Sequence, residues 1–580
     1  MKLFPCNLIG SMAILLSCSV AFSEAGDERF QTLAGNDGPA VGPRKVQVEW
    51  MQNFGGSRPD EGRSVCLAHG GGYVIAGHTA SYGIAGWWDV WLIKTDADGN
   101  EEWNRTFGGY FEDQAYSVRP TGDGGYIVAG FTSNFGVPGQ GWNAWLIKTD
   151  ADGVEEWNHP YGGTGSDQAY DIWPTDDGGY VFTGTSNSYG TPGRAIWLVK
   201  VTGSGKLQWQ QTYGGDVLNG WDVGRGVQQT TDGGYIIVGW VTCDTRGFDD
   251  LDIRLIKTDA QGGEEWSRNF GAAGCDFGYA VQQTADGGYV VTGLTFSSGD
   301  EDGDVWLIKV DAAGNIEWDR TLGGDDWDAG CSVQQTADGG YVVAGATTSS
   351  YGEYLHDLLL IRTDAQGNPQ WSLQLDGFYH DTGCCVRQTD DQAYVVAGWT
   401  HAQALGQQVW LVKVSGDNHP PLIPDQVEGP AIVYAGHEFS FTTGTTDPES
   451  HQLFYLWDWG DPFSEDWQGP YASGARVTEE HTWAEPGEYL IRVNAKDDPN
   501  GDGDPSDGLE SGWSEPLPVT VRLPGDADGS GVVDVSDLLI VLSSWGECPG
   551  SGEPCPADFD GSGTVDVDDL LILLSAWQAQ

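Results

Sequence analysis

Basic residues are scarce in this 580-residue chain: 27 Lys and Arg stand against 85 Asp and Glu, a formal net charge of -58. A surface of that sign repels phosphate backbones and anionic lipids, which excludes nucleic acid as a natural partner and favours cations. Long apolar runs are missing too. No stretch beyond the N-terminal leader approaches the roughly 20 apolar residues that span a bilayer, so no transmembrane segment is expected. The chain also lacks an H-E-x-x-H motif, a P-loop, a dinucleotide fingerprint and a Ser/His/Asp arrangement, and no catalytic class follows from motifs. Carboxylates are too numerous for pairs of them to indicate glycosidase chemistry. Apolar and aromatic residues, at 39% and 12%, are plentiful enough to argue against disorder. With 87 Gly and 27 Trp, the composition suits many short strands joined by tight turns, and the length suits several domains.

The first residues read as an export signal: Lys2, an apolar run over 8–16, and small residues from Ala21 to Ser23. Residues 1–23 are assigned to it and 24–43 to a linker. Leu15, Leu16, Ser17 and Cys18 loosely resemble a bacterial lipoprotein cleavage box, although Leu16 is bulky for its position. The mature protein is expected to be a monomer outside the cytoplasm, secreted or at the cell surface.

A Trp followed by a Gly or Gly pair recurs at Trp50, Trp103, Trp157, Trp209, Trp266, Trp318 and Trp371, at intervals of 52 to 57 residues. Each repeat holds four strand-like pieces. In the second these are 115–118, 126–130, 144–148 and a piece carrying Glu156 and Trp157. The first two are joined by Asp123, Gly124 and Gly125, a tight-hairpin signal because Gly adopts positive φ cheaply. Four antiparallel strands per unit of about 50 residues is the signature of propeller blades. The seventh unit lacks a fourth strand, while a spare one (45–50) precedes the first; pairing the two leaves no exposed sheet edge. A seven-bladed β-propeller is therefore expected over 44–417.

This topology puts the long second-to-third loops on one face with the starts of the innermost strands, and that face is the candidate binding surface. Acids recur there: Asp60, Asp113, Asp167, Asp222, Asp276, Asp328 and Asp381. They read either as caps of their turns or as a ring that binds cations or a polyhydroxylated ligand. Aromatic residues add to the face, among them Tyr82, Trp87, Trp88, Phe135, Trp142, Tyr189, Phe248, Tyr351 and Tyr354. A cation recurs in the third strands (Lys94, Lys148, Lys200, Lys257, Lys309, Arg362, Lys413) and is expected to form salt bridges between blades.

Past Asn418 the pattern changes. His419, Pro420, Pro421 and Pro424 form a stiff linker, followed by alternating strands with turn signals that read as a β-sandwich over 418–522. Tyr455, Leu456, Trp457, Asp458, Trp459, Gly460 and Asp461, with Pro486, Gly487 and Tyr489, closely resemble a PKD domain. That resemblance implies an immunoglobulin-like spacer or adhesive module.

In 523–580 one loop pattern occurs twice. Asp526, Asp528, Ser530, Val532, Asp534 and Asp537 stand at positions 1, 3, 5, 7, 9 and 12 with Gly531 at 6; Asp558, Asp560, Ser562, Thr564, Asp566 and Asp569 repeat this around Gly563. Oxygen ligands at these positions wrap Ca²⁺, so two Ca²⁺ sites are expected. Each loop runs into an apolar helix, over 538–545 and 570–577. The duplicated loop-helix resembles a dockerin domain and implies a cohesin-like partner. Ser530 and Ser562 replace the family's usual Asp or Asn, and the pairs Val535/Ser536 and Val567/Asp568 occupy its partner-recognition positions.

In an exported chain, Cys548 with Cys555 and Cys243 with Cys275 are disulfide candidates; Cys331 and Cys384 occupy equivalent places on adjacent innermost strands. The fold expected is mainly β: a seven-bladed propeller, an Ig-like sandwich and a small helical Ca²⁺-binding dockerin-like domain. The function expected is a secreted non-catalytic binder that recognises a glycan or protein through the propeller and attaches through Ca²⁺. The alternatives are a polysaccharide-degrading hydrolase or lyase, which no residue constellation supports, and a structural surface or matrix protein.

Overall fold

The computed structural model describes residues 31–32, 46, 48–134, 141–189, 193–215, 220–242, 251–297, 303–324, 326–348, 355–375, 380–402, 406–416, 421–447, 451–461, 466–498, 508–548 and 555–579. The export signal and Cys18 lie outside them. The chain forms two compact units, Met1–Gly416 and Asp417–Gln580. Both are mainly β. Among the described residues no helix is long and apolar enough to cross a membrane.

Among the described residues the first unit holds seven antiparallel sheets, built from consecutive strands except that the sixth and seventh each add a strand from the N-terminal part of the chain. The first is Asp60–Leu67, Tyr73–Thr79, Asp89–Thr95 and Glu101–Phe107. The second is Asp113–Pro120, Tyr126–Thr132, Asn143–Thr149 and Glu155–Tyr161. Sheets three to six begin at Asp167, Val223, Asp276 and Asp328. The seventh joins Thr382–Gln388, Tyr394–Ala402 and Gly406–Val414 to the N-terminal strand Val48–Phe54, with Val48 opposite Val414 and Phe54 opposite Val409. Gln31–Thr32, inside the segment expected as linker, adds a fifth strand to the sixth sheet.

Second and third strands such as Tyr126–Thr132 and Asn143–Thr149 are buried along their whole length. Their sequences are near-continuous apolar runs because both faces are covered, whereas the fourth strands alternate exposed and half-buried residues. What covers them is the next sheet. Val74, Val90 and Leu92 of the first sheet share a cluster with Val118, Tyr126, Val128 and Trp145 of the second. Val65, Tyr73, Ile75 and Trp91 of the first share another with Cys385, Val395, Val409 and Leu411 of the seventh.

One ring pair repeats at every step. The fourth-strand Trp of each sheet meets the Tyr that opens the second strand of a neighbour: Trp103 with Tyr126, Trp157 with Tyr180, Trp209 with Tyr235, Trp266 with Tyr289, Trp318 with Tyr341, Trp371 with Tyr394 and Trp50 with Tyr73. Their centroids are 5.6 to 6.3 Å apart. The third-to-fourth turn comes so close to this Trp that only Gly fits: a Cβ on Gly153, at φ +73°, would lie 2.6 Å from the Trp103 ring.

The third-strand cations correct an expectation. Their partners lie within the same sheet: Lys148 pairs with Asp123 of the first hairpin turn (3.0 Å) and with Glu156 of the fourth strand (2.8 Å). Lys257 and Lys309 repeat the arrangement, and Lys413 pairs with Asp391 and Glu49. A bulge explains this. The register slips between Glu155 and Trp157, and the extra residue, Glu156, turns to the Lys side of the sheet.

The second unit begins with an Ig-like β-sandwich. One sheet contains Ile432–Tyr434, Leu517–Arg522, Gly487–Asp498, Gln452–Asp458 and Gln468–Tyr471, with Glu510–Trp513 beside Gly487–Asp498; the other pairs Phe439–Gly444 with Arg476–His481. Phe441, Leu453, Tyr455, Val477, Trp483, Ile491, Val493 and Val519 fill the space between. Helices α1 (Val535–Ser543) and α2 (Val567–Ala579) follow, and Ala527, Val541, Phe559, Val565 and Leu573 belong to the same continuous core. Hydrophobic packing does not break at the boundary expected near residue 522.

Candidate functional site

The recurring aspartates are buried at 0 to 4% exposure, and each accepts at least one hydrogen bond from its own turn or a neighbouring strand end. Asp60 accepts from Gly56 N at 2.9 Å and Ser81 Oγ at 2.7 Å, and also from Thr79. Asp113 accepts from Gly109 N and Asn134, Asp167 from Gly163 N, Asp222 from Gly215 N, Asp276 from Thr295 and Ser297, and Asp328 from Gly324 N. Asp381 accepts from His401 N. Burial pushes Asp113 up to about 6 despite these bonds. Each acid therefore closes its own turn, and Asp60, Asp113, Asp167, Asp276, Asp328 and Asp381 are not presented to a ligand.

The aromatic candidates divide. Trp87 is exposed; Trp88 is half-buried with its ring 4.6 Å from His78, and Trp142 packs 5.2 Å from Phe131. Tyr82 and Tyr189 donate to the Gly55 and Gly162 carbonyls and tie their loops down. Phe135, Phe248, Tyr351 and Tyr354 lie outside the described residues.

Two groups on the first unit escaped the sequence reading, which noted only the equivalence of Cys331 and Cys384 in the first of them. The first is the residue three places after each aspartate: Arg63, Tyr116, Tyr170, Arg225, Tyr279, Cys331 and Cys384. Each sits in a bulge and is freed from the ladder, as between Ala115 and Ser117. Arg63 lies over Tyr116 at 6.0 Å, Tyr116 meets Tyr170 at 5.1 Å, Arg225 lies over Tyr170 at 4.5 Å and over Tyr279 at 5.6 Å, and Cys384 sits against Arg63. Burial pushes Cys331 up to about 12 and raises Cys384 too, which keeps both as neutral thiols. For Glu61, burial acts upward, but Arg63 and His78 outweigh it and hold the carboxyl at about 2. A constant offset from the repeat aspartate was the available signal.

The second group is a half-buried patch at the ends of the last two sheets. Trp327 lies 4.7 Å from His356, His356 is 5.5 Å from His380, and His380 is 6.4 Å from Trp399. Burial and the neighbouring His380 push His356 down to about 4, and burial with His401 lowers His380, so these imidazoles are uncharged at neutral pH.

In the second unit, both duplicated loops gather their acids. Carboxylate oxygens of Asp526, Asp528 and Asp537 lie within 4.8 Å of one another, as do those of Asp558, Asp560 and Asp569. Gly531 and Gly563 turn the chain at φ +81° and +84°. Asp526 accepts from Ser530 N and Gly531 N; Asp537 accepts from Asp528 N and Asp534 N, folding the loop back on itself. Asp534 caps α1 through Ser536 N, and Asp566 accepts from Asp568 N. Ser530 and Ser562 donate to the Val532 and Thr564 carbonyls. Burial, then repulsion from Asp569 and Asp560, pushes Asp558 up to about 6; burial likewise raises Asp526 and Asp569. Hard oxygen donors brought together against their own repulsion are of the kind that could hold Ca²⁺, and the Val532 and Thr564 carbonyls could add to them.

Beyond each loop the helices, together with Trp545 just past α1, expose matching apolar residues. Val535, Leu539, Leu542 and Trp545 recur, 32 residues on, as Val567, Leu571, Leu574 and Trp577, all between 37 and 62% exposed. Cys548 and Cys555 are disulfide-bonded between the loops. Cys275 is also disulfide-bonded, and Cys243 lies outside the described residues. Cys331 and Cys384 are free.

The family model of the PKD domain matches residues 426–504. This segment is a PKD domain. Its Trp457, Trp459 and His481 form a stack with centroids 4.8 and 4.6 Å apart, and His481 meets Asp461 at 2.8 Å. The PKD domain also holds the second acidic loop: Tyr434 donates to the Pro556 carbonyl and meets Phe559 edge-on at 4.8 Å. Arg522, just past the matched segment, donates to the Ala527 carbonyl at 2.6 Å. A solved PKD domain of an M14-like peptidase from Thermoplasmatales archaeon SCGC AB-540-F20 is 42% identical, covering 18% of this chain and 97% of that one, with a TM-score of 0.16. The regulatory protein FlaEY of Caulobacter vibrioides is 30% identical over 134 residues; the match spans 20% of this chain and 14% of that protein.

Proposed function

We propose that this is a secreted, non-catalytic binding protein in which a seven-bladed β-propeller recognises a neutral glycan and a Ca²⁺-loaded, dockerin-like tail attaches the whole to a cohesin-type partner. The observation that carries the attachment is a pair of apolar faces: four apolar residues on or just past each of two helices, at matching spacing, remain exposed beside two acidic loops. Burying one such side chain contributes about 1.5–3 kcal/mol, so a partner covering even half of them gains a substantial affinity. Ca²⁺ held by Asp526, Asp528, Ser530, Val532, Asp534 and Asp537, and by their counterparts from Asp558 to Asp569, would neutralise the loops from which these faces are displayed.

Support for a closed ring of blades comes from the seventh sheet, which meets the first through the Trp50–Tyr73 pair and the Cys384–Arg63 contact, the positions used between other neighbours. Within that ring the glycan locus moves from the aspartates to Trp327, His356, His380 and Trp399, an uncharged aromatic and hydrogen-bonding patch suited to sugar faces and hydroxyls. Two measurements test the reading. The full chain should be retained on at least one polysaccharide of a panel without releasing reducing ends, and Trp327→Ala should lose retention while keeping its fold; release of reducing ends refutes a non-catalytic role. Capture by an immobilised cohesin should need Ca²⁺ and fail for Leu539→Asp/Leu571→Asp; capture unchanged by chelator or by these substitutions refutes the attachment.

A further inference from the structure

One polar cluster belongs neither to the acidic loops nor to the first unit. Asp447 follows the strand Phe439–Gly444 of the two-stranded sheet; His451 precedes Gln452–Asp458; Asp497 lies near the end of Gly487–Asp498, opposite Leu453. The chain leaves one sheet of the PKD sandwich and enters the other here. His451 Nδ1 is 3.4 Å from Asp447 Oδ1 and 3.7 Å from Asp497 Oδ2, and one donor atom from each residue lies within 4.8 Å of the other two. Both carboxylate side chains are fully buried and the imidazole is 24% exposed.

The bonds around the cluster hold it open. His451 N donates to Asp447 Oδ1 at 2.9 Å, fixing the imidazole beside that acid, and Leu509 N donates to Asp497 Oδ1. Asp497 Oδ2 is buried, accepts no hydrogen bond, and points at His451. A buried carboxylate oxygen in that condition is destabilising unless a cation sits beside it. The two imidazole-to-carboxylate distances exceed the 2.7–3.2 Å of an N–H···O bond. They match donors sharing one ion: ligand distances of about 2.0–2.2 Å around a tetrahedral centre put neighbouring donors roughly 3.4 Å apart.

We propose that Asp447, His451 and Asp497 bind a divalent transition-metal cation of the zinc class. One imidazole and two carboxylates match the ligand preference of that class, whereas Ca²⁺ takes oxygen donors alone. Water would complete the coordination of a bound ion. The ion would staple the two sheets of the PKD domain where the chain crosses between them, separately from the acidic loops. The site is independent of the proposed binding function.

The test is a titration of the full chain with Co²⁺ and Zn²⁺ in excess Ca²⁺, so that the acidic loops are filled. Wild type should take up one equivalent more than His451→Ala, give a visible Co²⁺ spectrum that the variant lacks, and bind at least tenfold more tightly. Zn²⁺ should raise the melting temperature of wild type and not that of His451→Ala, whose partly exposed side chain makes it the safer variant. Asp497→Asn should behave like His451→Ala wherever it folds. Equal stoichiometry and equal Zn²⁺ response in wild type and His451→Ala overturn the proposal, and so does a site that Ca²⁺ fills equally well with or without the imidazole.

Discussion

Adding Ca²⁺ should stabilise the PKD sandwich as well as the loops, because Tyr434, Phe439, Phe559 and Leu573 belong to one continuous core. Opening the strand Gly487–Asp498 then requires the loop contacts to dissolve with it. At free Ca²⁺ one hundred times the dissociation constant, each filled site contributes about 2.7 kcal/mol to the folded state. Amides of that strand that exchange by full opening of the unit should slow by about 100-fold for one coupled site, and by up to about 10⁴-fold for two. Hydrogen exchange read by mass spectrometry on the full chain resolves this strand from α1 and α2. Asp569→Asn should reduce the slowing toward that of one site. Tyr434→Phe, which removes the bond to the Pro556 carbonyl, should cost about 0.5–1.5 kcal/mol and leave most of the coupling intact. Slowing in the helices with no change in Gly487–Asp498 would refute the shared core as a mechanical link.

Further outcomes follow from single contacts. Glu61, held at about 2 against an ordinary 4.5, contributes about 3 kcal/mol that is fully present above pH 4.5 and is lost as pH falls toward 2; Glu61→Gln should flatten that part of an acid-unfolding curve. Deleting residues 1–54 removes the fourth strand of the seventh sheet and exposes the edge Gly406–Val414, so the truncated chain should melt earlier and self-associate on size-exclusion chromatography. Cys548→Ser/Cys555→Ser opens a loop of sequence separation 7 and should lower the stability of the second unit by about 2.5 kcal/mol, measured by thermal unfolding.

Much of this was legible because the signals were local and repeated. Trp-to-Gly spacing, Asp-Gly-Gly hairpins and the spare strand before Met51 located the four repeat strands of each of seven sheets and the pairing of Val48–Phe54 with Gly406–Val414, since strand formation and tight turns depend on neighbouring residues. They did not locate the fifth strand, Gln31–Thr32, of the sixth sheet. Acid spacing in the last 58 residues marked eight carboxylates, six of which converge in two groups of three while Asp534 and Asp566 stand outside them. Non-local partners were less legible. A repeated Lys implied a repeated salt bridge, yet the bulge at Glu156 set which sheet supplied the partner. A repeated Asp implied either a turn cap or a ligand ring, and only burial and the bonds each acid accepts from its own turn distinguished them.

The sequence by itself determined the element order, the repeat, the loop chemistry and the PKD segment, all of which rest on short-range pattern. Tertiary structure alone decided which side chains are used up and which remain. It enclosed the aspartates, lined up the bulge residues from Arg63 to Cys384, set Trp327 beside His356, and brought Asp447 and Asp497 together from 50 residues apart. The physical reason is that burial and donor convergence are sums over distant segments, and no window of neighbouring residues contains those terms.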